Sequence, residues 1–251
     1  MADNNAITSI IEPNKTYCED CIDYLRDMIK AGIKVDCAII DEPYGIDYYT
    51  NFRKKHLLKT QDGIENDKNN LHFLGYVTDL IFSVMKDNSH IYWFSRWDTV
   101  GKHKELLEYT GFQVKNVLIW VKNNWNAGDL YGSYSNQYEC IIFAQKGRKE
   151  LNDGRHPDVL FFDRVSGNEL LHNHQKPINL IEFLIKKSSN PGDFIIDPFT
   201  GSGTVPVACR ELDRNFYACE KEQDTYAIAD KRLSQRILEF NKEQRCKNGR
   251  G

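Results

Sequence analysis

Apolar positions along the chain fall into two alternating patterns. Short β-branched runs at 35–40, 90–94, 114–121, 139–144, 194–197 and 216–219 read as strands. Between them, apolar residues recur at helical spacing. In the segment 18–30 they stand at Cys18, Cys21, Ile22, Leu25, Met28 and Ile29, and the pattern stops at Gly32. Helices are likewise predicted over 73–85, 100–109, 178–187 behind Pro177, 205–211 and 225–240. Such alternation is that of βαβ units on a mainly parallel sheet. The polar connector 122–137 holds no helix-length periodic segment, so the strands on either side of it are expected to pair antiparallel at one sheet edge. The expected fold is α/β in three layers, a mainly parallel twisted sheet with an antiparallel edge strand. Two segments, 50–70 and 146–168, fit neither pattern and read as long loops.

Composition narrows the class without naming a chemistry. A chain of 251 residues, 41% hydrophobic and 27% charged, is expected to form one soluble domain over 1–251. With a formal charge of −3, any contact with nucleic acid must rest on local Lys and Arg clusters. Seven cysteines and no signal-like N-terminus fit a reducing, cytoplasmic location without disulfides. Cys18 and Cys21 form a lone C-x-x-C with no second ligand pair at zinc spacing, so they read as structural and no metal is expected. No apolar run approaches the ~18 residues that span a bilayer, and no membrane partner is expected.

Candidate chemistry lies in two strings, VDCAIIDEPYGIDY from Val35 and FIIDPFTGSGT from Phe194. In the second, a strand ends in Asp197 just before Gly201-Ser202-Gly203, and a helix follows. Glycines there permit positive φ and close approach of a ligand, while Asp197 can accept from a cationic or hydroxyl group. The string is neither the dinucleotide G-x-G-x-x-G nor a P-loop, which has a Lys, so phosphate is not the obvious ligand. The next predicted strand ends at Glu220, a carboxylate placed to chelate a ribose diol. Together they imply a nucleoside bearing a positive group. Taken alone, the same residues also fit an ordinary βα turn and a solvated acid, and the first string also fits a buried strand and a turn.

The run HNHQKPINLIEFLIKKSSNPGDFIIDPFTGSGTVPVACRELDRNFYACEKEQDTYAIADKRL, beginning at His172, closely resembles the cofactor-binding half of amino-methylating DNA methyltransferases. The segment YCEDCIDYLRDMIKAGIKVDCAIIDEPYGIDY resembles that family's opening helix, strand and D-P-P-Y segment, and IYWFSRWD matches its next strand. The order, catalytic tetrapeptide before cofactor motif, is that of the β group. The resemblance implies the Rossmann-like fold of methyltransferases that use S-adenosylmethionine as cofactor. It places Asp197, Phe199, Gly201 and Gly203, with Ser202 and Thr204 of the same turn, around the methionine portion, and Glu220 on the ribose. His172, Gln175, Lys176 and Pro177 match the motif before the cofactor helix, with Lys176 near the methionine carboxylate. Asp20 falls where the family has an acid reading adenine, although Glu19 stands in place of the usual Gly.

An exocyclic amine is a poor nucleophile because its lone pair is delocalised into the ring. Acceptors placed around it favour the tetrahedral nitrogen formed during attack. The resemblance assigns this to the Asp41 carboxylate and the carbonyl of residue 42, with Pro43 fixing the turn and Tyr44 stacking on an extruded base. Glu42 departs from the family's first proline. A residue before proline is already biased to extended backbone, so Glu42 can keep the geometry. It adds flexibility and a charge that either lies beside the base or faces solvent. Aspartate at position 41 matches the adenine-N6 subgroup, since the cytosine-N4 subgroup usually has serine there.

The partner so implied is DNA. Arg53, Lys54, Lys55, His56 and Lys59 are candidates for phosphate contact, unless the acids around them make a plain solvated loop. Asn123, Asn124, Trp125, Asn126, Tyr131, Tyr134 and Asn136 offer base-edge donors and stacking rings. Segments 50–70 and 146–168 are the candidate recognition segments, in the setting of a homodimer, as relatives often form. Cytosine-N4 or RNA methylation, and a catalytically idle DNA-binding relative, are the alternatives.

Overall fold

The computed structural model describes residues 11–42, 66–125, 131–165 and 175–248, with side chains described outside 66–71 and 236–248. Fourteen elements follow in order: β1 (Thr16–Cys18), α1 (Cys21–Lys30), β2 (Val35–Ile40), α2 (Asn66–Val84), β3 (Met85–Ser95), α3 (Val100–Thr110), β4 (Gln113–Val121), β5 (Tyr138–Lys146), β6 (Val159–Phe161), α4 (Ile178–Ser188), β7 (Phe194–Asp197), α5 (Thr204–Glu211), β8 (Asn215–Glu220) and α6 (Gln223–Asn248). The strands form one sheet in the order β1-β8-β7-β2-β3-β5-β4-β6. Every pairing is parallel except the two made by β5, with β3 and with β4.

The sequence expectation of a mainly parallel α/β sheet with an antiparallel part therefore holds, with one change of place. The antiparallel strand lies inside the sheet, because β4 and the short strand β6 continue it beyond β5. Three residues of β6, with only Leu160 buried, are too few for a period to register. The segment expected as one helix from Cys18 splits as well. Thr16–Cys18 pairs with β8, and Asp20 caps α1 by accepting a hydrogen bond from Ile22 N at 3.0 Å. At the other end of α1, Gly32 has a φ of 68°, and Gly32 N and Ile33 N donate to Ile29 O and Met28 O.

Alternation along the central strands sorts two cores, one on each face. Ala38, Ile40, Ile91, Trp93, Ile142 and Ala144 pack with α1, α2 and α3. Cys37, Ile39, Tyr92, Phe94, Ile141 and Phe143 pack with α4, α5 and the Leu233 face of α6. Since both faces are covered, β2 reads as a nearly continuous apolar run.

This topology fixes where a ligand can bind. From β2 the chain leaves to the α2 face and to β3, and from β7 it leaves to the α5 face and to β8, yet β2 and β7 are neighbours. The carboxyl ends of these two strands thus flank a topological switch point, the crevice where open α/β sheets bind ligands.

Candidate functional site

Two acids stand at the switch point, Asp41 just past β2 and Asp197 as the last residue of β7. Glu220 ends β8 next door, and Asp20 follows β1, whose Cys18 is in register with Glu220. β5 runs against the others, so its first residues reach the same edge, and Glu139 lies opposite Trp120 near the end of β4. Five carboxylates from five strands thus meet along one edge.

The β7–α5 turn is shaped by its glycines. Gly201 and Gly203 have φ of 53° and 81°. A Cβ on Gly203 would lie 3.1 Å from the Cα and Cβ of Ala229 in α6, so only glycine allows that approach. Gly201 N donates to Glu220 Oε2 at 2.9 Å, and Glu222 N donates to Oε1 at 3.0 Å, which fixes the Glu220 carboxylate beside the turn. Phe199 N donates to Asp197 Oδ1 at 3.2 Å. Burial pushes Asp197 well above the ordinary carboxylate range. That hydrogen bond opposes the shift, and the charges of Asp41 and Glu220 add to it. Ser202 and Thr204 are buried in the same turn, where an Arg232 guanidinium nitrogen donates to Ser202 O and Thr204 Oγ1. Asp20 shares its carboxylate between the cap of α1 and Lys221, 3.1 Å away.

On the β2 side, Lys176, just ahead of α4, reaches Asp41. Its Nζ is 2.8 Å from Oδ1 and 2.7 Å from Oδ2. The same ammonium lies 3.4 Å from Glu139 Oε2 and 5.0 Å from the Phe94 ring centre. Glu139 Oε1 in turn accepts from Lys122 Nζ at 2.5 Å. The four groups alternate in sign from the end of β4 to the end of β2. Burial works to lower the Lys176 pKa and to raise that of Glu139. The opposite charges outweigh it in both, so Lys176 titrates above its usual range and Glu139 below its own. The resemblance places Lys176 near the methionine carboxylate, and in the structure its ammonium holds Asp41. Nothing local in the sequence marks Glu139 and Lys122, and the antiparallel course of β5 brings Glu139 to the edge beside Lys122.

Glu42 does not face solvent. Its side chain is 3% exposed, and Oε1 lies 3.0 Å from Nε2 of His103, which is 6% exposed in the first turn of α3. Pro43, Tyr44, Arg53, Lys54, Lys55, His56, Lys59, Asn126 and His172 fall outside the described residues.

The connector after β4 carries exposed rings at the same edge. Trp125, Tyr131 and Tyr134 are exposed, the two tyrosines at 96% and 99%, and Phe161 at the end of β6 and Trp97 after β3 join them. The pair Lys122 N to Gln137 O, at 2.8 Å, closes the base of this connector. Asn123 Oδ1 accepts from Arg164 N at 3.3 Å, which ties it to the chain beyond β6. Of the candidate recognition segment 146–168, residues 146–165 are described. β5 carries the chain to the far edge of the sheet, where Lys187 Nζ donates to Asn152 O and Asn152 Nδ2 donates to Lys186 O and Ser189 O at the end of α4. Residues 147–152 therefore lie at the end of the sheet opposite Asp41. β6, parallel to β4, carries the chain back toward the edge where β4 ends.

Cys18 is exposed with its Sγ 3.1 Å from Gln223 Oε1, while Cys21 is buried in the core, so the two thiols occupy different environments. Among the described residues, no group of three or more His, Cys, Asp or Glu is arranged to hold a metal ion. Among them also, no helix is long and apolar enough to cross a membrane.

Known proteins resemble this chain in sequence and in fold. The Type II methyltransferase M2.DpnII of Streptococcus pneumoniae is 30% identical over 169 residues, 60% of this chain and 62% of its own length. The Type II methyltransferase M2.MboI of Moraxella bovis is 26% identical over 245 residues, 86% of each chain. The chain spans less than two thirds of the pneumococcal relative and of M2.LlaDCHI from Lactococcus lactis subsp. cremoris. Among solved structures, the M1.HpyAVI-SAM complex superposes with a TM-score of 0.70 at 28% identity, covering 87% of this chain and 98% of that one. The cytosine-N4-specific PvuII DNA methyltransferase superposes with a TM-score of 0.69 at 12% identity, covering 90% of this chain and 93% of its own, a likeness of fold alone. The family described as DNA methylase, which groups N6 and N4 amino-methyltransferases, matches residues 35–231, and the chain belongs to that family.

Proposed function

We propose that this chain transfers a methyl group from S-adenosylmethionine to the N6 amine of adenine in DNA. The observation that carries the reading is the meeting of Asp41 and Asp197 across the switch point, an amine-acceptor turn on one strand and a glycine-cradled acid on the next. S-adenosylmethionine, when bound, supplies an electrophilic methyl on a sulfonium. The residues present fit it. Asp197 is a buried acid whose charge needs a cationic partner, and Glu220 is held ready beside the turn with lone pairs left for a ribose diol. Phe199, Gly201, Ser202, Gly203 and Thr204 would enclose the methionine portion, and Asp20 would meet the adenine ring.

The rest is done by the acceptor turn. The Asp41 carboxylate and the carbonyl of residue 42 accept the two hydrogens of the target amine and stabilise charge as it develops on nitrogen. Lys176 removes the rotational freedom of Asp41 by holding both of its carboxylate oxygens. Tyr44 stacks on the base, which must leave the duplex to reach the crevice. Exposed rings of the connector, with Phe161 and Trp97, offer stacking surface around the opening, and Arg53, Lys54 and Lys55 meet phosphates. With so short a recognition region, a second copy of the chain completes the grip on DNA.

Aspartate rather than serine at position 41 supports adenine over cytosine. Tritiated methyl transfer to unmethylated DNA, followed by nucleoside chromatography, tests the reading. Label in N6-methyladenine supports it. Label in N4-methylcytosine, or DNA binding with no label at all, overturns it.

A further inference from the structure

We infer that His103 is a positioning residue for the acceptor turn, acting through the side chain of Glu42. The inference rests on the role proposed above for the residue-42 carbonyl.

Position 42 shares a residue with that carbonyl, so whatever fixes its backbone sets the acceptor geometry. A proline there restricts φ by its ring. Glutamate has no such restraint, yet this one is anchored at its far end. Its Oε1 lies 3.0 Å from His103 Nε2, with both side chains buried. A carboxylate only accepts, so Nε2 carries the hydrogen. The other ring nitrogen is held as well. His103 Nδ1 lies 2.9 Å from Ser95 Oγ, and Ser95 Oγ lies 3.2 Å from Thr99 Oγ1, the residue that precedes α3. Trp93, in register with Ile40 at the end of β2, places its ring 5.8 Å from the imidazole.

The tether thus runs from the rigid end of β3 and the first turn of α3 to the first residue of the turn that follows Asp41. A buried carboxylate is costly to keep without a partner, so the contact with His103 holds the Glu42 side chain in one place. A side-chain tether of this kind does for the backbone of residue 42 what a ring does elsewhere. It also turns the Glu42 charge away from solvent and onto His103.

The distinction between the two ring nitrogens makes the test specific. Gln at position 103 reproduces the Nε2 donor, and Asn reproduces only the Nδ1 side. Four variants are compared with the unaltered chain: His103→Gln, His103→Asn, Glu42→Pro, and His103→Asn combined with Glu42→Pro. Methyl transfer to unmethylated chromosomal DNA at saturating S-adenosylmethionine, and the Kd for S-adenosylmethionine by calorimetry, are the two readouts. His103→Asn is expected to slow transfer about tenfold or more with the cofactor Kd unchanged, a loss in kcat of the size that small misplacements produce. His103→Gln is expected to stay within about threefold of the unaltered chain. In the Glu42→Pro background, His103→Asn is expected to have no further effect.

Equal losses for Gln and Asn overturn the tether, as does a fall in cofactor affinity that accounts for the whole loss. If the Glu42→Pro chain does not fold, the contrast between Gln and Asn decides alone. Absence of transfer by the unaltered chain contradicts the proposed function itself. A transfer-competent chain indifferent to His103 contradicts only the tether.

Discussion

Lys176 grips both carboxylate oxygens of Asp41, at 2.8 and 2.7 Å, from a position 135 residues further along the chain. The contact joins the two halves of the family's sequence, since Asp41 belongs to the acceptor turn and Lys176 to the lead-in of the cofactor half. Glu139 shares the same ammonium, so one cation bridges two carboxylates that would otherwise repel each other.

Replacing that cation exposes the repulsion. Lys176→Met is expected to lower the unfolding free energy by about 3 kcal/mol, the lower end for a buried pair because Asp41 and Glu139 keep side-chain exposures of 26% and 21%. Adding Glu139→Gln should restore part of it, with a coupling of about 1 kcal/mol or more in a urea-unfolding double-mutant cycle. Strict additivity of the two changes would show that Lys176 does not bridge the acids.

Asp197 is strained by its own charge before any ligand arrives. Its raised pKa means that stability present below the ordinary Asp range is lost as pH rises through the folded value. Asp197→Asn keeps the acceptor for Phe199 N and removes the charge. The variant without cofactor is expected to be more stable than the unaltered chain at pH 7, by about 1–3 kcal/mol. Calorimetry should show its affinity for S-adenosylmethionine reduced more than about tenfold, since the cationic groups lose their partner. A variant less stable and equally able to bind would remove Asp197 from the cofactor site.

Gly203 tests the cradle by shape alone. An added Cβ meets Ala229 at 3.1 Å, and the φ of 81° disfavours any L side chain. Gly203→Ala should destabilise the fold by about 1–3 kcal/mol in urea titration. An unchanged midpoint would mean that α6 does not pack on the turn as described.

His90 gives the fold an acid limit. Burial holds its pKa down to about 4 from an ordinary 6.5, with Nδ1 against Ser188 Oγ and Nε2 against Lys149 O. The unfolded chain therefore takes up its proton first as pH falls, and stability is lost between about 6.5 and 4, by up to roughly 3 kcal/mol. Asp197 works in the opposite direction over this range, so the comparison is between chains rather than between pH values. His90→Gln should flatten the decline between pH 7 and pH 5 relative to the unaltered chain. Parallel curves would assign the acid sensitivity elsewhere.

The fold was largely legible because its strands and helices carry strong, distinct periods. β2, β7 and β8, with the helices that follow β7 and β8, were visible from apolar spacing and from Gly201 and Gly203. Two short strands escaped, since Thr16–Cys18 and Val159–Phe161 gain their structure from partners β8 and β4 rather than from local pattern. The helix from Cys18 was overextended for the same reason, and the Asp20 cap marks its true start. In the site, acids at strand ends could be read from position along the chain. Lys122, Glu139 and His103 could not. Their partners are 17, 37 and 61 residues away, as subtraction from Glu139, Lys176 and Glu42 shows, and only the sheet order brings them together. The clue that was present lay at Glu42, where a charged residue replaced a proline next to an apolar strand and so demanded a buried partner.

The central claim is a division of labour, with the methyl acceptor held at Asp41 and the donor at Asp197 and the turn beyond it. Asp41→Ala separates the two roles in one protein sample, with methyl transfer to unmethylated DNA and calorimetric binding of S-adenosylmethionine measured side by side. The expected result is a folded chain that binds the cofactor within about threefold of the unaltered affinity and transfers at least about a hundredfold more slowly, the size that loss of one preorganised transition-state hydrogen bond produces. A folded variant that loses cofactor binding, or one that still transfers methyl groups at the original rate, would contradict it.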